Sequence, residues 1–247
     1  MLDIHTDVPS RAEIKKAISS LKANKAAGID GIQAELLQTD INTTLDLIEE
    51  FIKDVWINEN IPGDWSKGLI IKLPKKGDLS SCDSWRGITL ISVPSKVFCR
   101  IILNRIEEEI DKKLREEQAG FRKNRGCIDQ ILALRNIIEQ SAEFNEDLHI
   151  NFVDFKKAFD SLHRSSVWKI LKLYGIPTKI IDLIKLFYNN YECSVLLKNK
   201  FGDWFSVETG VRQGCILSPI LFLITIDWVL RQTNDRPRGI QWTLLKH

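Results

Sequence analysis

Apolar residues in the first quarter of the chain recur every three to four positions, which is the period of an amphipathic helix. Ser10 followed by Glu13 forms a capping-box pattern, which predicts a helix from this point to about residue 21. A short helix is expected after the Asp-Gly turn at residues 30–31, and residues 43–58 show helical periodicity again. The Pro-Gly pair at residues 62–63 ends this last helix.

Short apolar or alternating stretches predict a few β-strands further along the chain. Residues 69–73 and 85–91 are expected to pair as two strands around a basic tip. Residues 193–199 and 204–210 are expected to form a second hairpin, which turns near residues 200–202. Another strand is predicted at residues 149–154, where apolar and polar side chains alternate.

Five further helices are predicted from apolar residues at helical spacing. They cover residues 95–115, 128–143, 165–174, 177–190 and 217–232. Gly175 ends one of these helices and Pro177 begins the next. Because helices dominate and the strands are few and short, the predicted fold class is α+β.

A carboxylate stands where the predicted strand at residues 149–154 ends. Asp154 is in phase with the apolar residues of that strand, and a charge at such a position is costly unless it is paired. One interpretation is a divalent-metal ligand, because Mg²⁺ takes carboxylate oxygens together with substrate phosphates. The other is a solvated strand end or an ion pair with one of the two lysines that follow. This stretch alone favours the second interpretation.

Composition narrows the class of protein only moderately. The chain has 247 residues, of which 44% are hydrophobic and 28% charged, with a net charge of +2. This balance is ordinary for a globular protein and neither requires nor excludes a nucleic-acid partner. The five cysteines are odd in number and lack metal-motif spacing, which predicts reduced thiols in an intracellular protein, with nucleus and cytoplasm both open. The most apolar stretch, residues 216–230, contains Asp227 and is too short to span a bilayer, so no membrane association is expected.

A glycine-flanked loop precedes the last predicted helix. In residues 210–219 two glycines enclose Arg212 and Gln213, so the backbone could approach a ligand closely while the two side chains hydrogen-bond a base, sugar or phosphate. The alternative is a turn from hairpin to helix, with Ser218 as the cap and Pro219 in the first turn. Both interpretations can hold together.

Two basic segments are candidates for binding phosphates. The hairpin tip at residues 72–86 could clamp a triphosphate, although a solvated loop is the commoner fate of such a charge run. In residues 116–130 Phe121 lies among arginines and lysines, which suits a groove that follows a nucleic-acid backbone. The alternative there is a basic connector with Phe121 in the core.

Six segments, taken in order, resemble the reverse-transcriptase domain of non-LTR (LINE-type) retrotransposons, over nearly the whole chain from about residue 12. They are KAAGIDGI (25–32), IIKLPKKGD (70–78), WRGITLI (85–91), QAGFRKNRG (118–126), FVDFKKAFD (152–160) and GVRQGCILSP (210–219). The resemblance implies the fingers and a partial palm of a right-hand polymerase. Residues 1–145 would form an N-terminal extension with the fingers, and residues 146–247 an incomplete palm without a thumb.

The resemblance also implies the chemistry, which is RNA-templated synthesis of DNA from deoxynucleoside triphosphates on a DNA primer. Asp154 matches a catalytic aspartate that binds one ion of a two-ion Mg²⁺ site. Phe159 matches an aromatic steric gate, which would crowd the 2′ position of the sugar and reject ribonucleotides.

The remaining residues implied by the resemblance bind nucleotide or nucleic acid. Arg86 matches a finger residue that holds the triphosphate, together with either Lys72 or Lys75. Gln213 and Gly214 match residues that line the nucleotide and the template. Finally, Arg122 and Arg125 are expected to meet phosphates of the nucleic acid.

The sequence departs from the family pattern in two places. Ile216 stands where the family usually has proline. The Tyr/Phe-Ala-Asp-Asp hairpin, which carries the other catalytic aspartates, is absent from the sequence, and this predicts a fragment that is inactive alone. Glu208 and Asp227 are the remaining carboxylates near the motifs, but neither matches one. A decayed relic and a non-catalytic RNA-binding module therefore stay open as alternatives, and the oligomeric state is undetermined.

Overall fold

The computed structural model describes residues 2–198 and 200–233, and this part of the chain contains eight α-helices and five β-strands. The helices are α1 (Arg11–Ser19), α2 (Ala34–Thr39), α3 (Ile41–Asn58), α4 (Val93–Asp111), α5 (Cys127–Glu143), α6 (Arg164–Leu173), α7 (Thr178–Leu186) and α8 (Ser218–Thr233). The strands are β1 (Lys67–Pro74), β2 (Trp85–Leu90), β3 (Glu192–Leu197), β4 (Lys200–Phe201) and β5 (Phe205–Ser206). The predicted α+β class is confirmed.

Local capping signals explain where several helices begin. The capping box predicted at the start of α1 is present, because the backbone N–H of Ser10 donates to Glu13 Oε2 at 2.9 Å and the Ser10 side chain accepts from the Glu13 N–H. The side chain of Asp40 accepts from the backbone N–H groups of Asn42 and Thr43 at the start of α3. Such caps satisfy donors that have no partner inside the helix.

The strands form one sheet with the order β2-β1-β3-β4, and β5 also pairs with β3. β1 is antiparallel to β2 and parallel to β3, while β3 is antiparallel to β4 and β5. Both predicted hairpins are therefore confirmed, although Lys200 and Phe201 lie in a strand rather than in the turn. The sheet joins strands from both sides of the boundary predicted at residue 145, and that division stays a prediction.

Helix α4 lies at the centre of the hydrophobic core. Its side chains Phe98, Ile102 and Ile106 are completely buried. The ring of Phe98 contacts those of Trp56, Trp65 and Phe187, with ring centres 5.7 to 5.9 Å apart, and so joins α3 and α7 to α4. Burial of each such side chain contributes roughly 1.5–3 kcal/mol, so α4 holds the described part of the chain together.

The prediction of a strand at residues 149–154 is wrong. This segment has no regular secondary structure, and its apolar side chains are exposed, with Phe152 at 80% and Val153 at 69%. A strand needs a neighbour for its backbone hydrogen bonds, and among the described residues none pairs with this segment. Helix α5, which precedes it, likewise has no buried residue and keeps apolar side chains such as Ile128 in solvent.

All five cysteines are free, as the sequence predicts. The Sγ atoms of Cys99 and Cys215 lie 4.0 Å apart in the core. Across the described residues, no helix combines the length and the apolar character needed to cross a membrane.

Candidate functional site

The glycine loop between β5 and α8 lies directly against the residues that follow Asp154. The backbone N–H of Val211 donates to the carbonyl of Phe159, and that of Gly210 donates to the carbonyl of Leu162, both at 2.8 Å. Gly210 has a positive φ of 75°, and a Cβ there would come within 2.7 Å of the Asp160 backbone. Glycine is therefore required for this close approach of two candidate segments.

The same loop is also attached to strand β2. The carbonyl of Gln213 accepts a 2.7 Å hydrogen bond from the backbone N–H of Thr89. Gly214 has a φ of +128°, and a Cβ at that residue would lie 2.3 Å from the Thr89 carbonyl oxygen. Gln213 and Gly214 are consequently fixed beside the strand that carries Arg86.

Phe159 is held by aromatic packing on two sides. Its ring stacks on Phe222 of α8, with ring centres 5.2 Å apart, and contacts Phe121 edge-on at 6.2 Å. The side chain is partly buried against the core. These contacts bring together two of the sequence motifs and helix α8, while the steric-gate role of Phe159 stays a prediction.

Asp154 is exposed, and among the described residues no hydrogen bond or ion pair engages its carboxylate. A carboxylate without a hydrogen-bond or ion-pair partner can supply an oxygen ligand to a divalent ion. Within residues 2–198 and 200–233, however, no three His, Cys, Asp or Glu side chains are grouped so that they could hold a metal. The described residues thus fit part of such a site, not a complete one.

Asp227, the other carboxylate considered from the sequence, is not available to a metal. Its side chain is completely buried, and it accepts hydrogen bonds from Arg115, Tyr174 and Arg231. Burial alone would raise the pKa of this carboxyl, but the three donors outweigh it and hold the pKa below its usual value. Asp227 is a structural anion that links α8 to its neighbours.

The β1–β2 ribbon separates its basic residues onto two faces. Lys72 pairs directly with Gly87, whereas Arg86 pairs with Leu73 one position along. Because directly opposed side chains share a face and successive ones alternate, Lys72 and Arg86 lie on opposite faces. On its own face, Lys72 places Nζ 4.2 Å from the centre of the Trp85 ring.

Lys75 lies on the face of Arg86. Its backbone N–H donates to the carbonyl of Ser84 at 2.7 Å, which continues the ladder past the end of β1. By alternation from the pair Leu73 and Arg86, Lys75 therefore shares their face. Of the two lysines suggested by the sequence, Lys75 is the better placed to act with Arg86, although the nucleotide role of these residues stays a prediction.

Arg122 and Arg125, which were predicted to meet phosphates, lie in different environments. The Arg122 side chain is 3% exposed, and its Nε donates to Asp111 at 2.7 Å while its other nitrogens donate to backbone carbonyls. This hydrogen bond lowers the pKa of Asp111. Arg125 is exposed and has one hydrogen bond, to the carbonyl of Glu116. The surroundings therefore favour Arg125 for contact with nucleic acid and give Arg122 a structural role.

Residues 73–244 match the family described as reverse transcriptase (RNA-dependent DNA polymerase). The chain belongs to the reverse transcriptase family. Members of this family generally use divalent metal ions and act on an RNA template with nucleotide substrates. The mixed α+β fold, in which helices dominate, agrees with the fingers and palm of a reverse transcriptase.

The similar proteins come from non-LTR retrotransposons. The chain is 31% identical over 218 residues to the RNA-directed DNA polymerase from mobile element jockey of Drosophila funebris, covering 86% of this chain and 23% of that protein. It is 27% identical over 242 residues to the Pol polyprotein of a type-1 R2 element of Popillia japonica, covering 97% and 33%. Identity to an uncharacterized 149 kDa protein of transposon TX1 of Xenopus laevis is 24% over 228 residues, covering 92% and 17%. The chain thus spans a third or less of the length of these relatives.

The reverse transcriptase domain also contains positioning residues that the motifs did not reveal. Arg164 donates to the carbonyls of Gly210, Val207 and Thr209 and so holds the glycine loop. The sequence leaves two interpretations open for the loop with Arg212, a ligand site and a turn, and in the structure Nη1 of Arg212 donates to the carbonyl of Trp65 at 2.8 Å in the protein interior. Arg164 begins a helix in no recognised motif, so no local sequence signal identifies it.

Proposed function

We propose that this chain forms the nucleotide- and template-binding part of an RNA-directed DNA polymerase of a LINE-type retrotransposon. The observation that supports it is the convergence of separate motifs on the glycine loop. This loop is hydrogen-bonded to Phe159 on one side and to Thr89 of β2 on the other. Residues far apart in the sequence are thereby arranged around one place, as a substrate site requires.

Each candidate residue has a role in this proposal. Arg86 and Lys75 hold the triphosphate of a deoxynucleotide through their shared face of the ribbon. Phe159 limits the space at the 2′ position of the sugar. Gln213 hydrogen-bonds the nucleotide or template, and Arg125 contacts the nucleic-acid backbone.

The proposed reaction is attack of a primer 3′-hydroxyl on the α-phosphate of the nucleotide, with release of pyrophosphate. Two bound Mg²⁺ ions would supply charge neutralisation to the attacking and leaving oxygens. Asp154 would hold such an ion through its exposed carboxylate. The contribution of the other residues is to position the reactants and stabilise charge.

The test is primer extension on poly(rA)–oligo(dT), with Mg²⁺ and separately with Mn²⁺. Three proteins are compared: the natural chain, the chain extended by a palm hairpin and thumb from a relative, and the extended chain carrying Asp154→Asn. We expect extension only in the second, because a two-ion site needs carboxylates from separate elements and Asp154 supplies one.

Activity of the extended chain that survives Asp154→Asn would remove the metal-ligand assignment. Extension by the natural chain would contradict the predicted need for further carboxylates. An extended chain that binds RNA but adds no nucleotide would favour the RNA-binding module or the relic.

In the active protein, Arg86→Gln should raise KM for the nucleotide about tenfold, whereas Lys72→Gln, on the opposite face, should leave it nearly unchanged.

A further inference from the structure

A cavity of about 190 Å³ lies beside the glycine loop. It is bordered by β1, β2, β3 and the glycine loop and is open to solvent on one side, and its lining includes Ile70, Thr89, Asp160, Arg164 and Arg212. Ile70 is paired with Thr89, two positions along the ribbon from the pair of Lys72 and Gly87. Side chains two positions apart share a face, so the cavity lies on the face of Lys72, opposite to Arg86. The cavity therefore lies on the other side of the ribbon from Arg86, while Gln213 of the proposed nucleotide site is one of its lining residues.

The guanidinium of Arg212 lines this cavity, and two of its nitrogens lack hydrogen-bond partners among the described residues. The residue is 2% exposed, and among the described residues its Nε and Nη2 have no hydrogen-bond partner. The guanidinium carbon lies 4.0 Å from the centre of the Tyr191 ring and 5.4 Å from that of Tyr188. Aromatic faces stabilise the charge but leave the two N–H groups unpaired, which is costly in a buried site.

A second guanidinium adds to the positive charge. Arg164 stacks over the same two tyrosines, with its guanidinium carbon 5.0 Å from the ring centre of Tyr188 and 5.9 Å from that of Tyr191. Its hydrogen bonds all go to neutral backbone carbonyls. Among the described residues no carboxylate forms an ion pair with either arginine, and Asp160 lies exposed at the rim. Arg164 is partly exposed, so solvent screens part of its charge, whereas the charge of Arg212 is buried and has no anion beside it among the described residues.

One internal group competes for the role of counter-ion. Cys215 follows Arg212 in the loop, and a hydrogen bond with Cys99, assisted by the charge of Arg212, lowers the pKa of its thiol. A thiolate at Cys215 would balance part of the charge without any ligand. The experiment must therefore separate an internal thiolate from an external anion.

We propose that this cavity is a binding site for a tetrahedral oxyanion of the phosphate class, with Arg212 as its main cation and Arg164 as the second. The volume accommodates a phosphate group with a few waters. The anion is either free inorganic phosphate or the phosphate of a nucleotide or RNA. The site differs from the proposed triphosphate clamp, because Arg86 lies on the opposite face of the ribbon, although Gln213 borders both places.

The test measures thermal unfolding of the 247-residue chain in inorganic phosphate and in NaCl of equal ionic strength. A ligand that binds only the folded state raises Tm, and at about ten times Kd the expected rise is about 3–6 °C. Thr209→Glu places a carboxylate at the exposed rim of the cavity, where it should replace the anion and abolish the phosphate-dependent rise. Thr209→Gln is the matched control and should retain it.

Three further measurements complete the test. Arg86→Gln should leave the phosphate effect intact, since Arg86 lies on the other face, and Cys215→Ser should leave it unchanged. Stabilisation by dTTP or by an RNA oligonucleotide that is lost in Thr209→Glu but kept in Arg86→Gln would identify a nucleotide phosphate as the occupant, and stabilisation by phosphate alone would identify the free ion.

Equal Tm values in phosphate and NaCl would overturn the proposal, as would a phosphate effect that persists in Thr209→Glu. A phosphate effect that appears only after Cys215→Ser would show that the thiolate is the counter-ion and would also overturn it.

Discussion

At the residue scale, Phe159 packs against two other rings, and its proposed role in selecting the sugar rests on that packing. Its ring lies between Phe121 and Phe222, so its position is fixed before any substrate binds. A fixed ring can exclude a 2′-hydroxyl because it cannot move aside at low cost. The two roles can be separated by experiment.

In the extended, active protein, Phe159→Val should raise the use of ribonucleotides relative to deoxyribonucleotides by about tenfold or more, because the steric barrier shrinks. The measurement is the ratio of kcat/KM for rUTP and dTTP. Phe222→Val is the comparison variant: it loosens the packing of Phe159 but keeps its ring, so it should relax sugar selection less than Phe159→Val. Unchanged sugar selection in Phe159→Val would leave packing as the only role of this residue.

Arg122 and Arg125 should respond differently to substitution although they are three residues apart. Arg125→Gln should weaken RNA binding and flatten its salt dependence by roughly 0.7 in the slope of log K against log salt, as for one lost phosphate contact on a single strand. Arg122→Gln should lower the free energy of unfolding by about 1–3 kcal/mol, because it removes the buried partner of Asp111.

The measurements are fluorescence titrations of labelled RNA at several salt concentrations and urea unfolding of each variant. A stable Arg122→Gln protein with the larger loss of RNA affinity would reverse the two assignments.

At the scale of elements, one arginine of α4 fastens the beginning of the chain. Arg105 forms a two-pronged ion pair with Glu13 of α1, at 2.7 and 2.9 Å. The same guanidinium donates to the carbonyls of His5 and Asp7 and lies 4.7 Å from the ring centre of Trp56 in α3. Three elements are therefore joined through a side chain that is 7% exposed.

This contact makes stability depend on pH. The hydrogen bonds from Arg105 lower the pKa of Glu13 to about 2, from an ordinary value of 4.5. A carboxyl whose pKa is lower in the folded state stabilises the fold above its unfolded pKa, and this contribution is lost as pH falls from about 4.5 to 2. Glu13→Gln should therefore be less stable than the natural chain at pH 6, and the difference should disappear near pH 2.

The measurement is the free energy of unfolding in urea from pH 2 to pH 7. Glu50→Gln is the matched control, because Glu50 pairs with Lys53 on the surface and is 81% exposed. The free energy of unfolding of Glu50→Gln should stay within about 0.5 kcal/mol of that of the natural chain at every pH. A constant offset between Glu13→Gln and the natural chain across this range would show that the ion pair does not set the pH dependence.

At the scale of the whole molecule, Asp227 links regions that are distant in sequence. It accepts from Arg115 after α4, from Tyr174 after α6 and from Arg231 within α8. Asp227→Asn should lower the free energy of unfolding by about 1–3 kcal/mol, because it weakens the hydrogen bonds that the buried carboxylate accepts from Arg115, Tyr174 and Arg231. Asp182→Asn removes an exposed pair with Lys185 and should cost less than about 1 kcal/mol. Urea unfolding would compare the two, and similar small losses would contradict a structural role for Asp227.

The sequence predicts those features whose cause is local. The Ser10 cap and the glycines at 210 and 214 depend on neighbouring backbone, so pattern and turn chemistry suffice. The absence of a strand at residues 149–154 could not be predicted from the local pattern, because alternating side chains do not show whether a partner strand is present. The face shared by Lys75 and Arg86 required the register of two strands, and the burial of Arg122 required contacts from outside its basic run.

The parallel pairing of β1 with β3 has a consequence for how the chain is made. Lys67 pairs with Glu192, so the ribosome must add about 125 residues after Lys67 before the second neighbour of β1 begins to form. At 5–20 residues per second this takes roughly 6 to 25 s, whereas the β1–β2 ribbon can close within microseconds of emerging. During that interval one edge of β1 is open to other chains. Slower elongation between α4 and β3 should therefore lower the soluble yield more than slower elongation after α8 begins.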